Sequence, residues 1–217
     1  IPLHHHVTRE KNALEPLLVS AQAILGGRFA HPPADPNIPL SQAEYGYQFD
    51  ALEVSDLLAK RISTSAVKRV TQPVSQFDVE DGLITAVRLE AGDNIEADLV
   101  IDVSGMTRLA SLAAGARFKA QRTIGVTATP RPAEQLGPPC REIEITPAGW
   151  TAKTHLQDKE LVLEIATADP KADPASHVTA VLGHLEAAWV GNCVAIGHAA
   201  SVFEPLTPAP MMMLQRD

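Results

Sequence analysis

The clearest alternation of apolar and polar positions lies between residues 67 and 103. Three strand-like runs, 67–77, 83–89 and 95–103, are separated by Asp81-Gly82 and Gly92-Asp93. Such dipeptides supply the positive-φ residues that tight hairpin turns need, so the pattern predicts an antiparallel meander. Its last segment, Ala97-Asp98-Leu99-Val100-Ile101-Asp102, is more uniformly apolar and fits a strand rejoining a buried parallel sheet. That segment runs into a sharp turn at Val103-Ser104-Gly105. A second apolar run, Cys193-Val194-Ala195-Ile196, ends at Gly197. It predicts a short buried strand, a glycine turn and a helix opening through His198-Ala199-Ala200. Free N–H groups at such a start can face a ligand, and small residues let backbone approach a planar or phosphorylated one. On the residues alone, a structural βα turn and a cofactor site stand equal there.

Elsewhere the periodicity is less even. Residues 14–25 fit a helix closed by Gly26-Gly27, with Pro16 in its first turn. The span 29–40 holds four prolines and reads as a loop. Asp50 is a candidate N-cap for a helix to about residue 63, with Leu52, Leu57, Leu58 and Ile62 on its apolar face. It reads as a core helix following an aromatic-rich strand over 45–51. Strand-like runs recur at 123–129, 142–145, 149–156 and 160–165, with a proline-rich connection over 130–139, and predict an antiparallel sheet. Residues 166–187 read as a loop and then a helix from about residue 176, with Val178, Val181, Leu182 and Leu185 at helical spacing. Met211-Met212-Met213-Leu214 after Pro208 and Pro210 reads as the first turn of another helix.

Composition narrows the class. The 217 residues, 45% hydrophobic, suffice for a good-sized domain of ordinary globular make-up. A formal charge of −8 argues against a nucleic-acid or anionic-membrane surface. No run approaches the roughly 18 apolar residues of a spanning helix. Cytoplasmic location is the default expectation. Cys140 and Cys193 show no metal-ligand spacing, and the adjacent His4-His5-His6 side chains diverge, so no metal site is predicted.

The wording of three stretches goes further. Trp189-Val190-Gly191-Asn192-Cys193-Val194-Ala195-Ile196-Gly197, continuing to Glu204-Pro205-Leu206, closely resembles the C-terminal flavin-contacting motif of the flavin-dependent tryptophan halogenases, a branch of the FAD monooxygenase-like proteins. Phe49-Asp50-Ala51 resembles the family's entry into a helix. Gly149-Trp150, with Leu156-Gln157 downstream, resembles its "GW-x-x-x-x-PLQ" segment, with His155 where a proline is usual. The resemblance implies an α/β fold: a partial FAD/NAD(P)-binding, Rossmann-like domain with a β-meander, plus an antiparallel substrate-domain sheet. It assigns 1–110 and 188–217 to the first part and 111–187 to the second. It also implies FAD as cofactor, a tryptophan- or indole-like aromatic substrate, and flavin contacts at Asp102, Ser104, Gly105, Gly197, His198, Ala199 and Pro205.

The chain departs from that pattern where the chemistry is concentrated. No G-x-G-x-x-G loop, which holds the flavin pyrophosphate, is present. None of the lysines stands in the context of the family's catalytic lysine. Where the family continues "EPLESTG", this chain has Thr207-Pro208-Ala209-Pro210 after Leu206. Thr207 replaces the catalytic carboxylate, and Pro210 has no N–H to offer a halide. No residue is assigned a catalytic role. The expectation is a truncated family relative that binds flavin weakly and is not competent as this chain. The alternatives are a non-catalytic module keeping part of the fold, or a flavoprotein oxygenation that does without halide.

Overall fold

The computed structural model describes residues 18–43, 45–62, 67–167 and 177–206. The His4-His5-His6 run, the first part of the 14–25 helix and residues 207–214 lie outside the described residues. The chain divides into two compact units. One is drawn from Ile1–Arg61, Thr129–Glu144 and Thr151–Leu163, and the other from Ile62–Ala128, Ile145–Trp150 and Glu164–Asp217.

In the second unit the meander forms as its turns predict. Strands β1 (Val74–Glu80), β2 (Leu83–Leu89) and β3 (Asn94–Glu96) pair antiparallel in that order. Asp81, Gly82 and Gly92 take φ values of 51°, 79° and 93°. Two of the predicted runs are trimmed. Residues 67–73 carry no strand, and the 95–103 run is split. The chain leaves the meander at Glu96 and re-enters as β4 (Val100–Asp102) in a different sheet.

That second sheet has the order β10-β11-β4, with β10 at Trp189–Val190 and β11 at Cys193–Ala195. Strand β4 runs parallel to β11, with Val100, Ile101 and Asp102 opposite Cys193, Val194 and Ala195. The run 97–102 does return to a parallel pair, but the expected buried setting is not found there, since Leu99 and Ile101 are 51% and 57% exposed. One side chain ties the meander to this pair. The Ile84 N–H donates to Asn192 Oδ1 at 2.8 Å, and Asn192 Nδ2 donates back to the Ile84 carbonyl at 2.9 Å. The Asn192 carbonyl accepts from Val100 N–H at 2.9 Å. The preceding Gly191 must lack a side chain: at φ 58° a Cβ would lie 2.1 Å from the Gly82 carbonyl oxygen. Ile84, Ala110, Ala114 and Cys193 form the small core beneath this junction.

The largest sheet has six strands in the order β12-β9-β5-β8-β7-β6. Its members are β5 (Phe118–Pro132), β6 (Arg141–Thr146), β7 (Gly149–His155), β8 (Lys159–Thr167), β9 (His177–Leu185) and β12 (Ser201–Val202). The four strand runs expected between 123 and 165 all fall within it. The helix expected from about residue 176 does not form; that segment is β9, antiparallel to β5 from Phe118↔Leu185 to Thr127↔His177. A register shift between Ala120 and Arg122 breaks the alternation opposite Gly183. Of the four residues at helical spacing, Leu182 and Leu185 are buried while Val178 and Val181 are exposed, so the spacing marks no single buried face. Likewise the helix expected after Gly197 is a single 3-10 turn, Gly197–Ala199, because the chain turns straight into β12.

In the first unit α1 (Val19–Leu25) ends at Gly26, with Gly27 at φ 61°. Helix α2 (Ala51–Ile62) starts where Asp50 caps it: Leu52 N–H donates to Asp50 Oδ1 at 2.8 Å. The carboxylate also pairs with Lys159, and that contact, ahead of the cap, holds the Asp50 carboxyl below the usual range. The core-helix expectation fails, however. No residue of α2 is buried, and Leu52 is 77% exposed. The aromatic-rich run 45–49 is not a strand.

The Asn192 junction yields a direct test. Asn192→Ala leaves the Ile84 N–H and carbonyl without partners in a buried setting, and should lower stability by about 2–4 kcal/mol. Asn37→Ala, which removes contacts confined to an exposed loop, serves as control. Urea midpoints that coincide for Asn192→Ala and the parent chain would contradict this account of how the meander is held.

Candidate functional site

Parallel strands β4 and β11 end side by side, and each ends in a glycine turn. After β4 comes a 3-10 turn, Gly105–Thr107, with Gly105 at φ 67°; after β11 comes Gly197–Ala199, with Gly197 at φ 61°. The two turns pack together, and Ile196 N–H donates to the Asp102 carbonyl at 3.1 Å. Open α/β sheets present ligands with this geometry, a crevice outside the carboxyl ends of parallel strands. A Cβ on Gly105 would meet nothing within 4 Å, so the space in front of that turn is open.

Six of the seven expected contact residues thus lie at one place, but their side chains do different work. Asp102 is 3% exposed, and its carboxylate is fully subscribed. Oδ1 accepts from Ser104 N–H at 2.9 Å and Ser104 Oγ at 2.6 Å; Oδ2 accepts from Ser111 N–H at 2.8 Å and Ser111 Oγ at 2.6 Å. Burial pushes the carboxyl up, but these four hydrogen bonds outweigh it and hold the group below the usual carboxylate range. Ser104 Oγ also accepts from Leu109 N–H at 2.8 Å, fastening the start of α3 (Leu109–Ala113). Ala199 is 0% exposed and His198 is exposed. Ser104 is exposed although its hydroxyl is engaged, and it faces outward together with the Gly105 and Gly197 backbone and the His198 ring. Pro205 falls in the turn after β12, beside Glu204.

Sequence reading passed over Arg108. It adopts a left-handed conformation, φ 51° and ψ 41°, and is 7% exposed. Its guanidinium carbon lies 3.5 Å from the centroid of the Phe118 ring, and Nη1 donates to the Met106 carbonyl. Burial pulls the group down from its ordinary value, against the opposing field of Asp102.

A family model for tryptophan halogenase matches residues 2–160. The chain belongs to the tryptophan halogenase family. Among curated members, tryptophan 7-halogenase KtzQ of Kutzneria sp. (strain 744) is 28% identical over 193 residues, covering 76% of this chain and 36% of the relative. Tryptophan 6-halogenase ThaL of Streptomyces albogriseolus is 27% identical over 190 residues, covering 75% and 36%. The chain thus spans about 36% of the length of the curated relatives it matches. Among solved structures, the flavin-dependent halogenase BrvH from Brevundimonas sp. BAL3 superposes with a TM-score of 0.83 at 21% identity, over 96% of this chain and 48% of that one. The latter likeness bears on the fold.

Seen as a tryptophan halogenase fold, two motifs met separately in the sequence become one structure. Trp150 Nε1–H donates to Glu204 Oε1 at 2.6 Å, and Glu204 Oε2 pairs with Arg122. All three line a cleft of about 210 Å³, with Ile124, Gly149 and Ile165. Gly149 is required by close approach, since a Cβ there would lie 2.0 Å from the Ile165 carbonyl oxygen. Both Glu204 oxygens are engaged, which fixes the residue in the cleft.

Asp102 carries a pH signature. Its folded pKa is lowered, so its contribution to stability is present above the unfolded value of about 3.9 and is lost as pH falls through the folded one. Asp102→Asn should cost about 1–3 kcal/mol at neutral pH, because an amide cannot accept from both serine pairs. Denaturation midpoints followed from pH 7 toward pH 3 should fall less steeply in the variant. An unchanged acid slope would count against the four-bond network.

Proposed function

We propose that this chain is part of a flavin-dependent oxidoreductase acting on a tryptophan- or indole-like aromatic substrate, and that it does not halogenate as its sequence stands. The observation that carries the flavin reading is the pair of glycine turns leaving the same ends of β4 and β11. The open face of Gly105 supports close approach of a large planar ligand. In this reading the Gly105 and Gly197 backbones and the His198 ring hold the ligand, Asp102, Ser104 and Ala199 build the turns, and Pro205 fixes the chain beyond β12. Flavin, when bound and reduced, supplies the electrons for activating dioxygen. The sheet residues of 111–187 form the substrate side of the assignment, with 1–110 and 188–217 on the flavin side.

Binding by this chain is weak in the same reading, because the sequence contains no G-x-G-x-x-G loop to neutralise a pyrophosphate. A flavin fluorescence titration should show saturation well above the micromolar range, abolished in a Gly105→Val, Gly197→Val double variant. Both positions need positive φ, which a β-branched residue resists. Submicromolar affinity, or binding indifferent to both substitutions, would overturn the assignment.

The halogenation claim rests on Thr207-Pro208-Ala209-Pro210 in place of Glu-Ser-Thr-Gly. A halide needs N–H or hydroxyl donors, and the two prolines provide no N–H. A threonine hydroxyl does not act as a carboxylate base near neutral pH, and loss of a positioned acid or base costs a factor of about 10² to 10⁴. The test grafts the N-terminal part of a working family member onto this chain, with and without Glu-Ser-Thr-Gly at 207–210. Supplied with reduced flavin, bromide and indole, only the second graft should form brominated product. Equal product from both would sink the claim.

A further inference from the structure

The unexplained feature of the turn cluster is the guanidinium of Arg108. Its Nε and Nη2 are buried and have no hydrogen-bond partner among the described residues. Charged groups placed in this way are rare, since each buried unpaired donor carries a desolvation penalty. Asp102 does not relieve it. That carboxylate lends its field, but both oxygens are committed to Ser104 and Ser111. Phe118 does not relieve it either, because a ring covers a face of the guanidinium and leaves the in-plane N–H bonds untouched.

The two open nitrogens are not an arbitrary pair. Nε and Nη2 form the side-on edge of the guanidinium, whose parallel N–H bonds match two oxygens of a carboxylate or phosphate. Nη1 is spent on the Met106 carbonyl, and the Arg108 N–H donates to the Gly105 carbonyl at 3.2 Å, so the side chain is held against the 105–107 turn. The left-handed backbone at Arg108 fixes this placement in a conformation uncommon for a non-glycine residue. The turn beside it presents the open face of Gly105 and the exposed Met106.

We propose that the Nε–Nη2 edge of Arg108 is a receiving fork for an oxyanion, a carboxylate or phosphate carried by a ligand lying against the 105–107 turn. The site does not depend on that ligand being a flavin. The 3-10 turn gives way to admit the oxyanion, which then exchanges its water for two parallel charge-assisted hydrogen bonds.

The experiment measures thermal midpoints of the chain with inorganic phosphate, acetate and bromide at matched ionic strength. A ligand that binds only the folded state raises the midpoint with its concentration. Phosphate, acetate or both should raise it beyond bromide, and the arm that does so names the oxyanion. Arg108→Met should abolish the difference while leaving the unliganded midpoint equal or higher, because an unpaired buried charge has been removed. Arg108→Lys, which keeps the charge but loses the fork, should reduce the difference. Should the methionine variant fail to fold, the lysine variant is read with the parent's Arg Nε–H resonance, which should move on adding the effective oxyanion. Three results each overturn the proposal: no oxyanion effect beyond bromide in the parent chain, an effect undiminished in the folded variants, or an Nε–H resonance that does not respond. Loss of the oxyanion effect in Arg108→Met, in a chain that binds no flavin, would uphold this site and remove the flavin reading alone.

Discussion

The turn cluster depends on one buried carboxylate. Asp102 stands at the last position of β4, and its two oxygens collect four hydrogen bonds from two serines seven residues apart. Ser104 belongs to the turn and Ser111 to the helix after it, so one side chain dictates where both begin. Parallel pairing with β11 sets the position of the carboxylate, and Asn192 sets the parallel pair against the meander. A chain of local requirements therefore leads from the Asp81-Gly82 hairpin, through Gly191 and Asn192, to the two glycine turns. Each step is enforced by close contact or by a buried polar group that has to be satisfied.

This makes plain which parts of the architecture were legible. Asp-Gly and Gly-Asp hairpins and the Asp50 cap are signals whose physics is confined to a few neighbouring residues. They read correctly because nothing distant competes with them. The 177–185 segment misleads because its meaning is set from across the sheet. In β9, Leu182 and Leu185 turn inward while Val178 and Val181 stay exposed, and the irregularity in β5 between Ala120 and Arg122 interrupts the simple alternation that would have announced a strand. Gly183 carried the signal that could have warned of it: a Cβ there would lie 2.2 Å from the Lys119 carbonyl oxygen. Helix α2 shows a different limit, since an amphipathic pattern foretells a helix without saying whether its apolar face is covered.

At the candidate site, sequence located the turns and missed how their side chains are employed. Asp102 and Ser104 stand out in sequence because they flank a glycine at a strand end; in the fold the Asp102 carboxylate is taken up in shaping the turn, while Ser104 remains exposed. Arg108 could not be singled out, because a left-handed arginine buried under a phenylalanine has no local sequence signature. Trp150 and Glu204 were visible separately, and only the fold reveals that one holds the other.

These roles bear on what a family motif is worth as an argument. Asp102, Ser104, Gly149, Trp150, Gly191 and Glu204 each have a sufficient reason in folding alone: a saturated carboxylate, a fastened helix start, two close backbone approaches and one anchored pair. A chain that needs this backbone needs these residues whether or not it performs the reaction. Their presence therefore speaks for the architecture, and fold by itself does not imply activity. Halogenation, as proposed above, makes a separate demand, placed on the residues after Leu206, where a carboxylate and halide donors would have to stand. The sequence there is Thr-Pro-Ala-Pro. In that reading, scaffold and reaction are written in different stretches of this chain, so that it can satisfy the first in detail while departing from the second.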